Sequence, residues 1–189
     1  MLIQGSCFKN MAVGSIRSSG RIGRVIALVI NPHNLHVDGI TCRIIGERSN
    51  QLISPSDVRD ISPKAVVIDD HDRLMDPADA IRLKPIMELG FSLERLKAYV
   101  GSRRVGVVED FAVDQQSLFV QKIYVQPTLL NRWSTDRLVF SRSQVQEVTK
   151  SKIVFIDSSK VKVKDRRSVR ANIPMPQPSL STSLTNEYE

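Results

Sequence analysis

Residues 20–32 read GRIGRVIALVINP, and residues 103–115 read RRVGVVEDFAVDQ. At this offset of 83 the match runs through Ile22 and Val105, Gly23 and Gly106, Val25 and Val108, Leu28 and Phe111, and Ile30 and Val113. It continues with Leu35 on Leu118, Val37 on Val120, Ile40 on Ile123 and Cys42 on Val125. The offset then becomes 87, where SPSDVRDI from Ser54 meets SRSQVQEV from Ser141, and Val66 to Asp70 meets Ile153 to Asp157. Upstream, Val13-Gly14-Ser15 also aligns with Val100-Gly101-Ser102 at 87. Self-similarity of this length implies two structural units built on one template.

Each unit reads as strands. The first long segment is rich in β-branched residues, and Asn31-Pro32-His33-Asn34 or Asp114-Gln115-Gln116-Ser117 closes it with turn chemistry. Alternation in 118–125 continues into a second strand. Ser54 or Ser56, and Ser141 or Ser143, are expected to bond nearby backbone amides in a tight turn or a single helical turn. Gly23 and Gly106 fall where the first long strand begins. No further glycines and no helix follow, so a bulge or sharp bend fits them better than a phosphate cradle. Units of this size cover an apolar face and remove exposed edges by closing into small barrels, packed against each other.

The residues between the repeats, DRLMDPADAIRLKPIMELG from Asp72, hold the helix signals. Asp76 can cap, Pro77 suits a first helical position, residues 78–83 suit a helix and Pro85 limits it. Leu74, Ile81, Ile86 and Leu89 are expected to dock this linker. The domain reading is therefore a first barrel over 1–72, a linker with a short helix over 73–92, a second barrel over 93–158 and a basic tail over 159–189.

The ordered pattern [GR]-[IV]-G-x-V-x-x-[LF]-x-[IV]-[ND], an apolar strand, [LI]-x-x-S-x-[DQ]-V-x-[DE]-[IV] and a terminal [IV]-V-[IF] resembles the PRC-barrel family. It covers residues 10–70 and 93–157, and the second copy is especially similar to tandem bacterial PRC-barrel proteins of unassigned function. The resemblance implies an all-β chain with two barrels of about six strands. In this family such barrels dock other molecules, as in the reaction-centre H subunit, a ribosome-maturation factor and an archaeal cell-division protein. It supplies no catalytic residue for any position here.

The chain has 189 residues, 41% hydrophobic and 25% charged, with a mean hydropathy of −0.15. Its apolar runs fall far short of the ~20 residues of a membrane-spanning helix, and no signal-peptide core is present at the start. A cytoplasmic setting is the expectation. Cys7 and Cys42 read as small buried or half-buried side chains. Asp69-Asp70-His71-Asp72 lacks the spacing of a calcium loop, and His33 and His36 flank a turn without companion ligands. No nucleophile motif, phosphate loop or paired carboxylates appear, so neither enzyme activity, nor a metal, nor a cofactor is expected.

Two segments point to partners. QPTLLNRWSTDR from Gln126 makes the second unit longer and contains the only Trp. Leu129, Leu130, Arg132, Trp133 and Arg137 either dock a protein or seal a barrel end. The formal net charge is +7, and Lys160, Lys162, Lys164, Arg166, Arg167 and Arg170 face only Asp165 within 158–170, a local +5. This tail is read as disordered, and either grips RNA phosphates or an acidic partner, or solubilises the chain. The leading expectation is a non-enzymatic adaptor with a protein partner. An RNA- or ribosome-associated factor is the alternative, and attachment of the tail to anionic membrane comes third.

Overall fold

The computed structural model describes residues 1–128 and 137–157. Strands dominate it, as expected from the β-branched runs. After a short β1 (Leu2–Gln4) and one helical turn, α1 (Gly5–Phe8), the first unit comprises β2 (Ala12–Ser15), β3 (Gly20–Ile30), β4 (Val37–Ile44), β5 (Asn50–Ile53), β6 (Val58–Ile61) and β7 (Ala65–Ile68). After helix α2 (Lys84–Glu88) come β8 (Lys97–Val100), β9 (Arg103–Asp114), β10 (Val120–Pro127), β11 (Leu138–Ser141), β12 (Val145–Val148) and β13 (Lys152–Phe155). The first six-stranded sheet has the order β5-β4-β3-β2-β7-β6, and the second repeats it as β11-β10-β9-β8-β13-β12. In both, neighbours are antiparallel except one parallel pair, β2 with β7 and β8 with β13.

The repeat extends to irregularities. All register shifts recur at equivalent places: Val13/Gly14 with Ala98/Tyr99, Val25/Ala27 with Tyr124/Val125, Val29/Ile30 with Val120/Lys122, and Val58/Asp60 with Val145/Glu147. Bulges bend a strand and increase its twist, so each long strand turns a corner where its neighbours change. The glycines are set by that corner. A Cβ on Gly23 would lie 2.5 Å from the Arg43 carbonyl oxygen, and one on Gly106 would lie 2.1 Å from that of Gln126. Arg43 and Gln126 are themselves equivalent, so the same close backbone approach demands glycine twice.

Upstream of the long strands the structure corrects the alignment. β2 and β8 correspond at an offset of 85 rather than 87, because the Ser15–Gly20 turn holds two more residues than the Val100–Arg103 turn. Gly14 therefore lies within a strand, whereas Gly101, at φ +57°, turns the second hairpin. The template also starts earlier than the sequence pattern. Asn10 and Arg95 both adopt left-handed backbone, at φ 66° and 68°. Their N–H groups donate to Val25 O at 3.0 Å and Val108 O at 2.8 Å. Phe8 with Leu93, and Met11 with Leu96, are buried on either side.

The start of the chain crosses between the units. β1 does not join the first sheet but pairs with β9, with Ile3 opposite Val113. Asp110 locks the crossing: its carboxylate accepts Ser6 N–H at 3.1 Å, Ser6 O–H at 2.7 Å and Phe111 N–H at 2.8 Å. A single cluster of buried side chains includes Val25 and Ile40 together with Val108 and Ile123, so both sheets share one core. Closure into barrels is not made by backbone pairing: among the described residues no ladder joins β5 to β6 or β11 to β12. Each of those pairs is linked instead by a single 3-10 turn, Pro55–Asp57 or Arg142–Gln144.

The linker also differs from expectation. Its helix spans Lys84–Glu88, with Pro85 in the first turn, where a missing N–H costs nothing. Asp76 Oδ1 instead accepts Ala78 N–H at 2.8 Å in an isolated turn. Ile81 is 80% exposed and does not dock, whereas Met75 pairs with Leu52 and covers the β5 edge. Cys42 is buried as expected, but Cys7 is exposed. No helix among the described residues is long and apolar enough to cross a membrane.

Gly106→Ala is expected to lower stability by about 1–3 kcal/mol, the usual cost of forced overpacking. Gly14→Ala, with its nearest neighbour at 3.7 Å, should be tolerated. Equal melting temperatures for the two variants would contradict the close-approach account.

Candidate interaction cleft

The units meet through their polar turns. Leu35 N–H donates to Asn31 O at 2.8 Å, and Leu118 N–H to Asp114 O at 2.9 Å, closing the same turn in each copy. Side chains reinforce it: Asn34 Oδ1 accepts His36 N–H at 2.9 Å, and Asp114 Oδ1 accepts Ser117 N–H at 2.9 Å. Both leucines are left-handed, at φ 59° and 55°, yet buried. Such a backbone costs a non-glycine residue of order 1–3 kcal/mol, offset here by packing and by hydrogen bonds across the seam. Val37 N–H donates to Leu118 O at 2.9 Å, and Val120 N–H to Leu35 O at 2.9 Å, around the facing pair His36 and Phe119. Equivalent positions thus exchange bonds reciprocally, as at a two-fold interface.

Side chains seal this seam on one side. The His36 ring meets Phe119 edge-on with centroids 4.7 Å apart, and the Arg142 guanidinium lies 3.9 Å over the Phe119 ring. Arg142 Nε also donates to Asn34 O at 3.1 Å, and His36 Nδ1 lies 2.6 Å from Asp38 Oδ1. Beside this stack opens a cleft of about 610 Å³ lined by Asn34, Gln121, Ser143, Val145, Gln146 and Val148, among others. Its counterpart, about 360 Å³, is lined by equivalent positions, including Gln115, Gln116, Val58 and Ile61. Each cleft therefore sets the turn of one unit against the end strand of the other.

Among the described residues β12 ends its sheet and pairs only with β13, and no ladder occupies its other edge beside the larger cleft. β6 holds the same position in the smaller one, where Arg59 is drawn away to Asp69 at 2.7 Å. The serines that precede these strands bond one another, Ser54 with Ser56 and Ser141 with Ser143, both at 2.8 Å. In the second unit Gln144 completes a capping box on Ser141, its Oε1 accepting Ser141 N–H at 2.8 Å.

Of the residues singled out from the sequence, Arg137 is tied down: its Nε lies 2.8 Å from Glu109 Oε2, and its guanidinium 5.4 Å over Tyr124. Leu129, Leu130, Arg132 and Trp133 lie outside the described residues, as do Lys160, Lys162, Lys164, Arg166, Arg167 and Arg170. Asp69 is paired with Arg59, Asp70 and Asp72 face Arg17, and His71 Nε2 lies 2.9 Å from Glu47 Oε1. No group of three or more His, Cys, Asp or Glu side chains suited to a metal ion occurs among the described residues. The cleft residues are all within the repeated segments. The sequence could not show, however, that a turn of one unit faces a strand of the other, because that pairing is non-local.

Hydrogen bonds from Arg59 and Arg17 hold Asp69 and Asp70 below the usual carboxylate range, and the Ser117 amide and hydroxyl bring Asp114 to about 2. Burial, with a smaller contribution from Glu47, pushes the Cys42 thiol up to about 12. The sequence matches no family model and no curated protein.

Carboxylates held low in the folded state stabilise it above their unfolded pKa of about 4, and that contribution is lost as pH falls through the folded values. The melting temperature should therefore hold from pH 7 to about 4 and drop towards pH 2, less steeply in Asp114→Asn. A midpoint near pH 6 would assign the acid sensitivity to histidine instead.

Proposed function

We propose that this chain is a tandem PRC-type protein acting without catalysis in the cytoplasm, and that it docks an extended segment of a protein partner along β12 in the seam cleft. The unpaired edge of β12 inside the larger cleft carries this reading. A free edge presents a row of backbone donors and acceptors, and an extended peptide satisfies them by adding as a further strand. Amides and hydroxyls of Asn34, Gln121, Ser143 and Gln146 line the cleft beside that edge, together with the charged Arg142 and Glu147. A cleft of this size is within the range that holds specific ligands, commonly about 300–1,000 Å³. The duplicated strand order and its duplicated bulges support the family reading, because they give each half the same six-strand path.

The test is retention of proteins from native lysate by the tagged full chain, with and without nuclease. The wild type is expected to hold a defined protein after nuclease treatment. Gln121→Trp, which fills the larger cleft, should reduce it about ten-fold or more, while Gln115→Trp in the smaller cleft should not. If everything retained disappears with the nucleic acid, the protein-docking role falls and the RNA-associated alternative takes its place.

A further inference from the structure

We infer that the end of the first sheet where β3 begins and β4 finishes carries a docking site for anionic lipid, made by Arg21, Arg24, Arg43 and Ile45. These four side chains share one recess of about 260 Å³ with Gly23 and Ile44. Arg24 and Arg43 are directly opposite across the β3–β4 ladder. Like charges in that position destabilise a sheet, so the pair is not explained by folding. No ion pair reaches Arg21, Arg24 or Arg43 among the described residues. The nearest acid along the chain, Glu47, is engaged by His71 at 2.9 Å.

Arg21 and Arg43 are oriented rather than loose. Arg21 Nε donates to Gly23 O at 3.1 Å and Arg43 Nε to Asn50 Oδ1 at 2.8 Å. Each bond uses one of five guanidinium donors and leaves the rest for a phosphate, which arginine binds in a two-pronged fashion. Ile45 is 71% exposed, although its backbone is fixed by a 2.9 Å bond from its N–H to Ile22 O. Ile16, 56% exposed, lies in the β2–β3 turn at the same end of the sheet.

The second unit shows that the template does not require this. Arg24 and Arg43 correspond to Val107 and Gln126, which face each other at the matching rung. The facing arginine pair occurs in one copy only, although Arg21 has its counterpart in Arg104. An exposed isoleucine among arginines matches a bilayer surface, where cations meet headgroup phosphates and an apolar side chain enters the acyl boundary. Among the described residues no aromatic side chain lines the recess, so they offer nucleic-acid bases no stacking platform there. This site is separate from the seam cleft and does not depend on it.

The test is co-sedimentation of the full chain with vesicles of phosphatidylcholine alone, or mixed with phosphatidylglycerol. Binding is expected only to the mixed vesicles. Each arginine at such a surface contributes about a five-fold gain, so Arg24→Gln/Arg43→Gln should weaken partitioning about 25-fold. Ile45→Ser should weaken it with no change of charge and melt like the wild type, while the Arg24→Gln/Arg43→Gln variant, relieved of its like-charge pair, should melt no lower. The control Arg103→Gln/Arg104→Gln removes the same charge from the second unit and should leave binding within about two-fold. An equal fall in both double variants, or no effect of Ile45→Ser, would assign the attraction to net charge and overturn the site. Absence of binding to mixed vesicles overturns it as well, and retention of RNA instead would make this a nucleic-acid surface.

Discussion

The reciprocal pair of hydrogen bonds around His36 and Phe119 is the constraint on which the described fold depends. An open sheet of six strands has end strands with one neighbour each and an apolar face it must cover. Here two such sheets meet at equivalent turns, and Val37 and Val120 each donate to the other unit. The left-handed Leu35 and Leu118 are what this contact requires, since their carbonyls must point across the seam while their side chains enter the core. The Arg142–Phe119–His36 stack then closes one flank, and the clefts are the spaces left between each turn and the opposite end strand.

Much of this fold is legible in the sequence because the repeat is dense in the long strands. Residues 20–30 and 103–114 carry the β-branched pattern, and their glycines mark the shared corner. The features that are not legible have physical reasons. The Asn10 and Arg95 turns use left-handed backbone without glycine, so no turn residue announces them. β1 is only three residues long, and its partner lies more than a hundred positions away. The linker helix lies later than its capping signals suggest, because a proline that limits one helix starts another as readily from its first turn. The candidate site is legible residue by residue, as matching positions of a repeat, but not as a place. Its two walls come from different units.

The departures from symmetry carry the functional argument. β9 is covered along its far half by β1 and locked by Asp110, whereas the equivalent positions on β3 include the exposed Ala27. The larger cleft carries Gln146 at the position where its counterpart holds Arg59, already paired with Asp69. The Arg24–Arg43 pair is written into one copy alone. A duplicated template satisfies folding twice, and substitutions in one copy are then free to serve something else. The seam cleft and the arginine recess are both of this kind.

Native-state hydrogen exchange at the Val37 and Val120 amides tests the account most directly. If the seam holds the two sheets around one core, both amides exchange only through global unfolding, at the same rate as central amides such as Ile40 and Ile123. Fast exchange at Val37 and Val120, with protection retained separately within each sheet, would contradict it and show two independent units.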